Sequence, residues 1–334
     1  CKNVVAQHNK FMNAHGPMDS YGSHIDYGNE NVVFQYNYSY NNEGGFAEIL
    51  GDNINCGYRY NISVNDGYRE DPNGIPWNKK GKIFWVSNFC GQNPIRCPNV
   101  GTFIYNNTVF VNDTLNPEIY FWPDIGDVHV YNNLIVVGQN GEIIPTLIEN
   151  NLNNLYISNN LFYDSSRIDL DSDLENNALY GDPFLLNSEY LGENNPEAYQ
   201  LQNNSPAIGS GFLINGSTDT TNYLEHNGGL DYFGNSVSHD FPSNIGAFNG
   251  SDFMDILAIK LDDIKLYPSI TNDYVKISIQ DYTGLIQTEI YELSGNFISV
   301  QNGDKLSFKE FNPGIYFCVV IYGGNNKTIR IVKL

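Results

Sequence analysis

Three side chains that can carry a proton stand at matching places in the first part of the chain. His15, Glu43 and Asp66 each follow the asparagine of a repeated phrase, at offsets of six, six and five residues. If the phrases stack as layers, these side chains share one column, with neighbours about 5 Å apart. Two carboxyl groups so close raise one another's pKa, so that one can act as a general acid while the other stays ionised. The spacing therefore predicts acid–base chemistry at this column.

Other residues of the same stretch could complete such a site. Asp26, in "HIDYG", precedes the next repeat and is a candidate catalytic residue beside Glu43 and Asp66. The pair Gly44–Gly45 would permit a close approach of a ligand to the backbone. The alternative interpretation is that acidic residues at such turns only solvate the surface or join a row of asparagines. The candidates for ligand contacts are His15, His24, Arg69, Trp77 and Trp85.

The asparagines belong to a phrase that recurs along the chain. In "VVFQYNYSYNN" and "TFIYNNTVFV", a run rich in β-branched and aromatic residues is followed by Asn and by another short run. The recurrences lie 24 to 28 residues apart, except for one gap of 45, which is either two coils or one coil with a long insertion. Such periods, without helical patterns between them, are typical of a β-solenoid. The anchor residues of the phrase are Asn9, Asn37, Asn61, Asn106, Asn132 and Asn159.

The predicted fold is all-β, with a parallel β-helix over residues 1–250. Asn tolerates a left-handed turn and can bond to the Asn of the next coil, so the anchors form a ladder. A second ladder is expected at Asn13, Asn41 and Asn65. After about residue 165 the regularity fades, and turn-rich segments predict irregular last coils and a cap. Because no cap is recognisable at the other end, we expect that N-terminal coils are missing from this sequence.

The last part of the chain has a different texture. Short alternating strands follow one another at roughly ten-residue spacing, which predicts a small antiparallel β-sandwich over 263–334 after a linker at 251–262. The segments "LYPSITNDYVKI", "IYELSGNFI", "NPGIYF" and "IRIVKL" closely resemble the C-terminal sorting domain of type IX secretion cargo. The resemblance implies export to the cell surface or the medium, with the translocon and its shuttle protein as partners of 263–334. One departure is Ser269, where the family usually has Pro.

The first 250 residues resemble secreted right-handed parallel β-helix proteins that act on polysaccharides. The stretches that carry the resemblance are "SHIDYGNENVVFQYNYSYNNEGGF" and "YRYNISVNDGYR". The resemblance implies a glycoside hydrolase in which acidic residues on neighbouring coils form the active site, with a polysaccharide or surface glycan as partner. The register independently selects Asp26, Glu43 and Asp66 as those acids. A non-catalytic adhesin and a polysaccharide lyase remain alternatives, since the fold hosts many functions.

Charge and cysteine content narrow the choice further. The formal net charge is -21, which argues against nucleic acid as a partner because phosphate backbones require clustered basic residues. No apolar run is long enough to span a membrane. No cofactor is expected, and calcium is the one metal ion that the acidity leaves open. Cys90 and Cys97 flank a short loop and could form a disulfide.

Overall fold

The computed structural model describes residues 1–16, 19–70, 80–112, 114–138, 141–147, 154–163, 175–214, 226–250, 264–268, 270–279, 284–293, 296–322 and 325–334. The chain forms two compact units, Cys1–Gly250 and Ser251–Leu334. The linker expected at 251–262 lies outside the described residues. No helix within the described ranges is long and apolar enough to cross a membrane.

The first unit consists of three parallel sheets whose strands come from successive coils. Sheet A contains, in spatial order, β1 (Lys2–Gln7), β4 (Glu30–Gln35), β7 (Gly57–Arg59), β10 (Asn99–Tyr105), β13 (Gly126–Tyr131), β16 (Leu155–Ser158) and β18 (Glu175–Asn176). Sheet B contains β2 (Lys10–Met12), β5 (Tyr38–Tyr40), β8 (Ile62–Val64), β11 (Thr108–Val111), β14 (Leu134–Val137), β17 (Leu161–Tyr163) and β19 (Leu179–Tyr180). Sheet C contains β3 (Tyr21–Ile25), β6 (Gly45–Ile49), β9 (Lys82–Val86), β12 (Glu118–Phe121) and β15 (Ile144–Leu147). This is a parallel β-helix, as the sequence predicts.

The register between coils resolves the long gap in the repeat. Strand β7 pairs directly with β10, with Arg59 opposite Tyr105. The gap of 45 residues is therefore one coil with insertions, and the alternative of two coils is wrong. The added chain lies between β8 and β9 and between β9 and β10.

A ladder of asparagines, all buried except Asn9 at its end, runs along the turn between sheets A and B. Asn37 Oδ1 accepts hydrogen bonds from the backbone N and the Nδ2 of Asn9, both at 3.0 Å, and the same double contact repeats at every coil. Each coil thus satisfies an otherwise buried N–H group of its neighbour. The ladder members are Asn9, Asn37, Asn61, Asn107, Asn133 and Asn160, with Glu175 in the last position.

Three of the six predicted anchors precede the ladder position by one residue, although they have the predicted left-handed backbone and Asn132 Nδ2 donates to Asn106 Oδ1 at 3.2 Å. In the phrase "YNN", the first Asn has a left-handed backbone, with φ of 51° at Asn106, and the second Asn points into the ladder. In "QYN", Tyr36 takes the left-handed position with φ of 55° and leaves Asn37 for the ladder. Because neighbouring Asn residues satisfy the same pattern, the sequence alone favoured the wrong one in Asn106, Asn132 and Asn159. The second predicted ladder is present between Asn41 and Asn13, whose Nδ2 and Oδ1 lie 3.0 Å apart.

Three apolar clusters hold the described part of the unit together, and the third includes Phe103, Ile214 and Val237. The space between the three sheets is filled by inward side chains such as Val128, Ile104 and Phe84. The second cluster lies on the outer face of sheet B, where residues of 185–247 pack against Phe110, Leu134 and neighbouring side chains. This part includes short 3₁₀ helices at Ser188–Tyr190 and Pro196–Tyr199. The irregular segment therefore covers the side of the β-helix, rather than continuing it as last coils as the sequence suggested.

The second unit contains two sheets. One consists of β20 (Ile264–Tyr267), β22 (Tyr274–Ile279) and β25 (Lys305–Ser307), all antiparallel. The other contains β21 (Ile270–Thr271), β27 (Asn325–Lys333), β26 (Gly314–Tyr322), β23 (Ile286–Glu292) and β24 (Phe297–Asn302), of which only the β21–β27 pair is parallel among the described strands. A shared core between them includes Val275, Phe308 and Val320.

Candidate functional site

The structure separates the residues that the sequence placed in one column. His15 and Glu43 do lie together, with Nδ1 and Oε2 2.8 Å apart. The Glu43 carboxylate also accepts a hydrogen bond from the Gly16 N–H at 2.8 Å and faces Arg69 Nε at 3.4 Å. Burial raises the pKa of Glu43, but the Gly16 N–H and the Arg69 guanidinium outweigh it and hold the pKa below its ordinary value. Glu43 is an ionised carboxylate in a corner between sheets B and C.

Asp66 does not belong to that column, because it is aligned with Asn42 rather than with Glu43. Its Oδ1 accepts hydrogen bonds from the backbone N and the Nδ2 of Asn42, at 2.9 and 2.8 Å. Its Oδ2 accepts one from Ser63 Oγ at 2.7 Å. Asp66 is fully buried, and burial raises its pKa to about 6 against the effect of these bonds. Asp66 thus occupies a ladder position and is closed to solvent.

Asp26 is exposed and follows β3, beyond His24. Its Oδ1 accepts the N–H of Tyr27 at 2.8 Å. Its charge raises the pKa of both Glu48 and His24, so these three groups share one region. Asp26 therefore groups with Glu48, a carboxylate that the sequence analysis did not select, and it is not among the groups that most affect the pKa of Glu43 or Asp66.

The outer face of sheet C carries a row of functional side chains in register. His24, Glu48, Trp85 and Tyr120 are successive partners across β3, β6, β9 and β12. Their neighbours along each strand, such as Ile49 in β6, point into the core. Since side chains alternate between the two faces of a strand, the row points outward, with a spacing of about 4.8 Å between strands.

Glu48 is the unusual member of this row. Its side chain is only 2% exposed, and its Oε2 makes no hydrogen bond within the described residues. The nearest partner is His24 Nδ1 at 3.5 Å, and the His24 side chain is 41% exposed. Burial raises the pKa of Glu48, and the negative charges of Asp19 and Asp26 raise it further, against the lowering effect of His24. In return, the contact with Glu48 raises the pKa of His24 more than burial lowers it.

A buried lysine fixes the aromatic end of the row. Lys82 Nζ lies 5.5 Å from the ring centroids of both Trp85 and Tyr120 and forms an ion pair with Glu118 at 3.1 Å. The ring of Tyr21 lies 6.1 Å from that of Trp85. The Lys82 cation thus contacts both rings, of which Trp85 is buried and Tyr120 is half-buried.

The predicted site residues therefore divide into two groups and one ladder position. His24, Asp26 and Trp85 lie with Glu48 on sheet C, whereas His15, Glu43 and Arg69 form the corner group. Trp77 lies outside the described residues. The sequence analysis missed Glu48, whose one signal was a lone carboxylate at an alternate position of the buried run "GFAEIL". Within the described ranges, no three His, Cys, Asp or Glu side chains are grouped so as to hold a metal ion.

The described residues form an all-β protein, in which the first unit is a parallel β-helix and the second unit consists of two mainly antiparallel sheets. Residues 265–334 match the family model of the secretion system C-terminal sorting domain. No curated protein and no solved structure matches the chain. The match indicates export by type IX secretion to the cell surface or the extracellular space, and it implies that this C-terminal domain interacts with the secretion machinery. The predicted disulfide between Cys90 and Cys97 is present.

Proposed function

We propose that this exported protein is a glycoside hydrolase whose active site is the outer face of sheet C. Glu48 is the general acid in this proposal and Asp26 is the base. The observation that carries it is the buried Glu48 carboxyl in register with His24. Burial and the charges of Asp19 and Asp26 raise the pKa of Glu48, which favours the protonated form that a general acid needs. Glycosidases need such a group beside a second carboxylate that stays ionised.

The strand geometry supports the pairing of Glu48 with Asp26. Glu48 is the register partner of His24, and Asp26 follows His24 by two residues. With the usual rise and strand spacing, the Cα atoms of Glu48 and Asp26 lie on the order of 8 Å apart. A carboxyl separation of about 6.5 to 9.5 Å leaves room for a water molecule and is that of an inverting enzyme. A Cα separation of this size lets the two carboxyl groups flank one glycosidic bond.

The aromatic end of the row supports a sugar as substrate. Trp85 and Tyr120 continue the row beyond Glu48, and Lys82 holds both rings. The apolar face of a pyranose packs on such rings, which would orient the scissile bond towards Glu48. His24 would then be a positioning residue, since it contacts the acid and not the sugar platform.

Glycan binding without catalysis is the second candidate. The low exposure of Glu48 favours it, because a general acid must reach the oxygen of the leaving group. A polysaccharide lyase is favoured least. Lys82, the cation beside the row, forms an ion pair with Glu118, whereas a lyase uses such a cation to neutralise a uronate.

The test measures reducing-sugar release and the absorbance of unsaturated products over a panel of neutral and acidic glycans. We expect release without unsaturation, and a loss of about 100-fold or more in rate for Glu48→Gln and for Asp26→Asn. The matched control is Asp66→Asn, which alters a buried ladder carboxyl and should keep the rate. Full activity in Glu48→Gln would disprove the assignment of the acid. Glycan retention that Trp85→Ala abolishes, without any product, would establish the binding function instead.

A further inference from the structure

A second cluster of polar and aromatic side chains lies on the outer face of sheet A. Asp127, His129 and Tyr131 occupy alternate positions of β13 and therefore share one face. His129 Nε2 lies 3.1 Å from Asp127 Oδ1, and His129 Nδ1 lies 2.8 Å from the hydroxyl of Tyr131. Both ring nitrogens of His129 are thus engaged, and the imidazole is held in one orientation.

Two exposed rings lie against this polar row. Tyr156, the register partner of His129, stacks on it with ring centroids 4.9 Å apart and planes 16° from parallel. Phe212 packs on Tyr131 with centroids 5.0 Å apart. Tyr156 is 45% exposed and Phe212 is 46% exposed. Half-exposed aromatic rings that pack on hydrogen-bonded polar side chains present apolar area to a ligand at a low cost in side-chain entropy.

The position of the cluster explains why it is open. Phe103, the register partner of His129 on the preceding coil, is fully buried in an apolar cluster with Ile214 and Val237. Ile214 and Val237 therefore cover the outer face of sheet A at β10, whereas Tyr156 in β16, two strands further along the sheet, stays exposed. The row of register partners Phe103, His129 and Tyr156 is therefore buried at its first member and exposed at its last.

We propose that Asp127, His129, Tyr131, Tyr156 and Phe212 form a second glycan-binding site, separate from the face of sheet C. The apolar face of a pyranose ring packs on Tyr156 and Phe212, and the free oxygen of the Asp127 carboxylate accepts hydrogen bonds from the sugar hydroxyls. Asp127 places a carboxylate in the row and the chain carries a net charge of -21, so the ligand is a neutral glycan and not a polyanion. Such a site would hold a polysaccharide near the exported protein.

The experiment uses the full chain with three neutral probes, a soluble glucan, a xylan and a mannan. Affinity gel electrophoresis measures retention, and hydrogen exchange locates the contact. We expect slower exchange at residues 126–131 and 155–158 with the probe that is retained. Tyr156→Ala should weaken retention about tenfold, the equivalent of one aromatic contact, and abolish the slowing there. Tyr156→Phe preserves the ring and should preserve retention.

The matched control is Tyr190→Ala, which removes a tyrosine of similar exposure, 43%, from the short helix Ser188–Tyr190. It should leave retention unchanged. Three results would overturn the proposal: no retention of any probe, slowing confined to sheet C, or equal retention by Tyr156→Ala and the wild type. If Tyr156→Ala instead changes the molar mass by light scattering while retention is unaltered, the patch is a self-association surface and the glycan site is refuted.

Discussion

Replacing the buried carboxyl of Asp66 by an amide should stabilise the β-helix at neutral pH, where the carboxyl is ionised, and not at acidic pH, where it is protonated. In the variant Asp66→Asn, the oxygen of the new side-chain amide can accept the same two hydrogen bonds from Asn42 that Asp66 Oδ1 accepts. The amino group of the same amide can donate to Ser63, as Asn42 Nδ2 donates to Ser39 Oγ at 2.9 Å one coil earlier. Ser39 and Ser63 are register partners, so the substitution copies an arrangement that the fold already contains.

The magnitude follows from the pKa of Asp66. Burial raises this pKa from the ordinary value of 3.8 to about 6, so the folded state binds the proton more tightly than the unfolded state. Stability contributed by this group is present below pH 4 and is lost as the pH rises from about 4 to about 6. Above that range the folded state carries a buried charge at a cost of about 3 kcal/mol. Asp66→Asn should remove this cost.

The assay is urea unfolding followed by tryptophan fluorescence at several pH values between 3.5 and 7.5. All three tryptophans of the chain lie in the first unit, so the signal reports the β-helix alone. We expect stabilisation of about 3 kcal/mol at pH 7.5 and almost none at pH 3.5. The matched control is Asp52→Asn, an exposed carboxyl, which should change stability by less than about 0.5 kcal/mol. Equal stabilisation at both pH values, or destabilisation at pH 7.5, would refute the reasoning.

Three further outcomes test the ladder and the site. Asn107→Ala leaves the N–H and Nδ2 of Asn61 without their acceptor and should cost about 3 kcal/mol by urea unfolding, whereas the exposed Asn203→Ala should cost under about 0.5 kcal/mol. Burial raises the pKa of Glu175 to about 7, so Glu175→Gln should stabilise the unit at pH 8 and not at pH 4; a constant effect over that range would contradict this. Glu48→Gln should lower the pKa of His24, followed by its imidazole NMR signals, because the Glu48 contact is what raises it; an unchanged titration would show that the two side chains do not interact.

Much of the architecture was predictable because it depends on local chemistry that repeats. A coil of 24 to 28 residues with a buried Asn presents the same bonds to the next coil, so periodicity alone predicts the parallel β-helix. The sorting domain was predictable for a different reason: its four segments keep their order and spacing, and the family model matches 265–334.

The candidate site was predictable only in part. His15 and Glu43 meet as expected, but Asp66 does not join them, because a shift of one residue moves a side chain to the other face of the chain. The same sensitivity misplaced three anchors in the phrase "YNN". A count of residues from an anchor cannot resolve an error of one, and in a β structure that error decides between the interior and the solvent.

The sequence by itself determined the stacking of coils, the ladder of asparagines and the exported C-terminal unit. Only the tertiary structure decided that residues of 185–247 cover sheet B, that Tyr156 stays exposed on sheet A and that Glu48 meets His24. The physical reason is that repeats specify contacts between equivalent positions of neighbouring coils. Contacts between unlike positions, such as a folded-back segment on a sheet, depend on the shape and burial of the assembled surface, which no local pattern encodes.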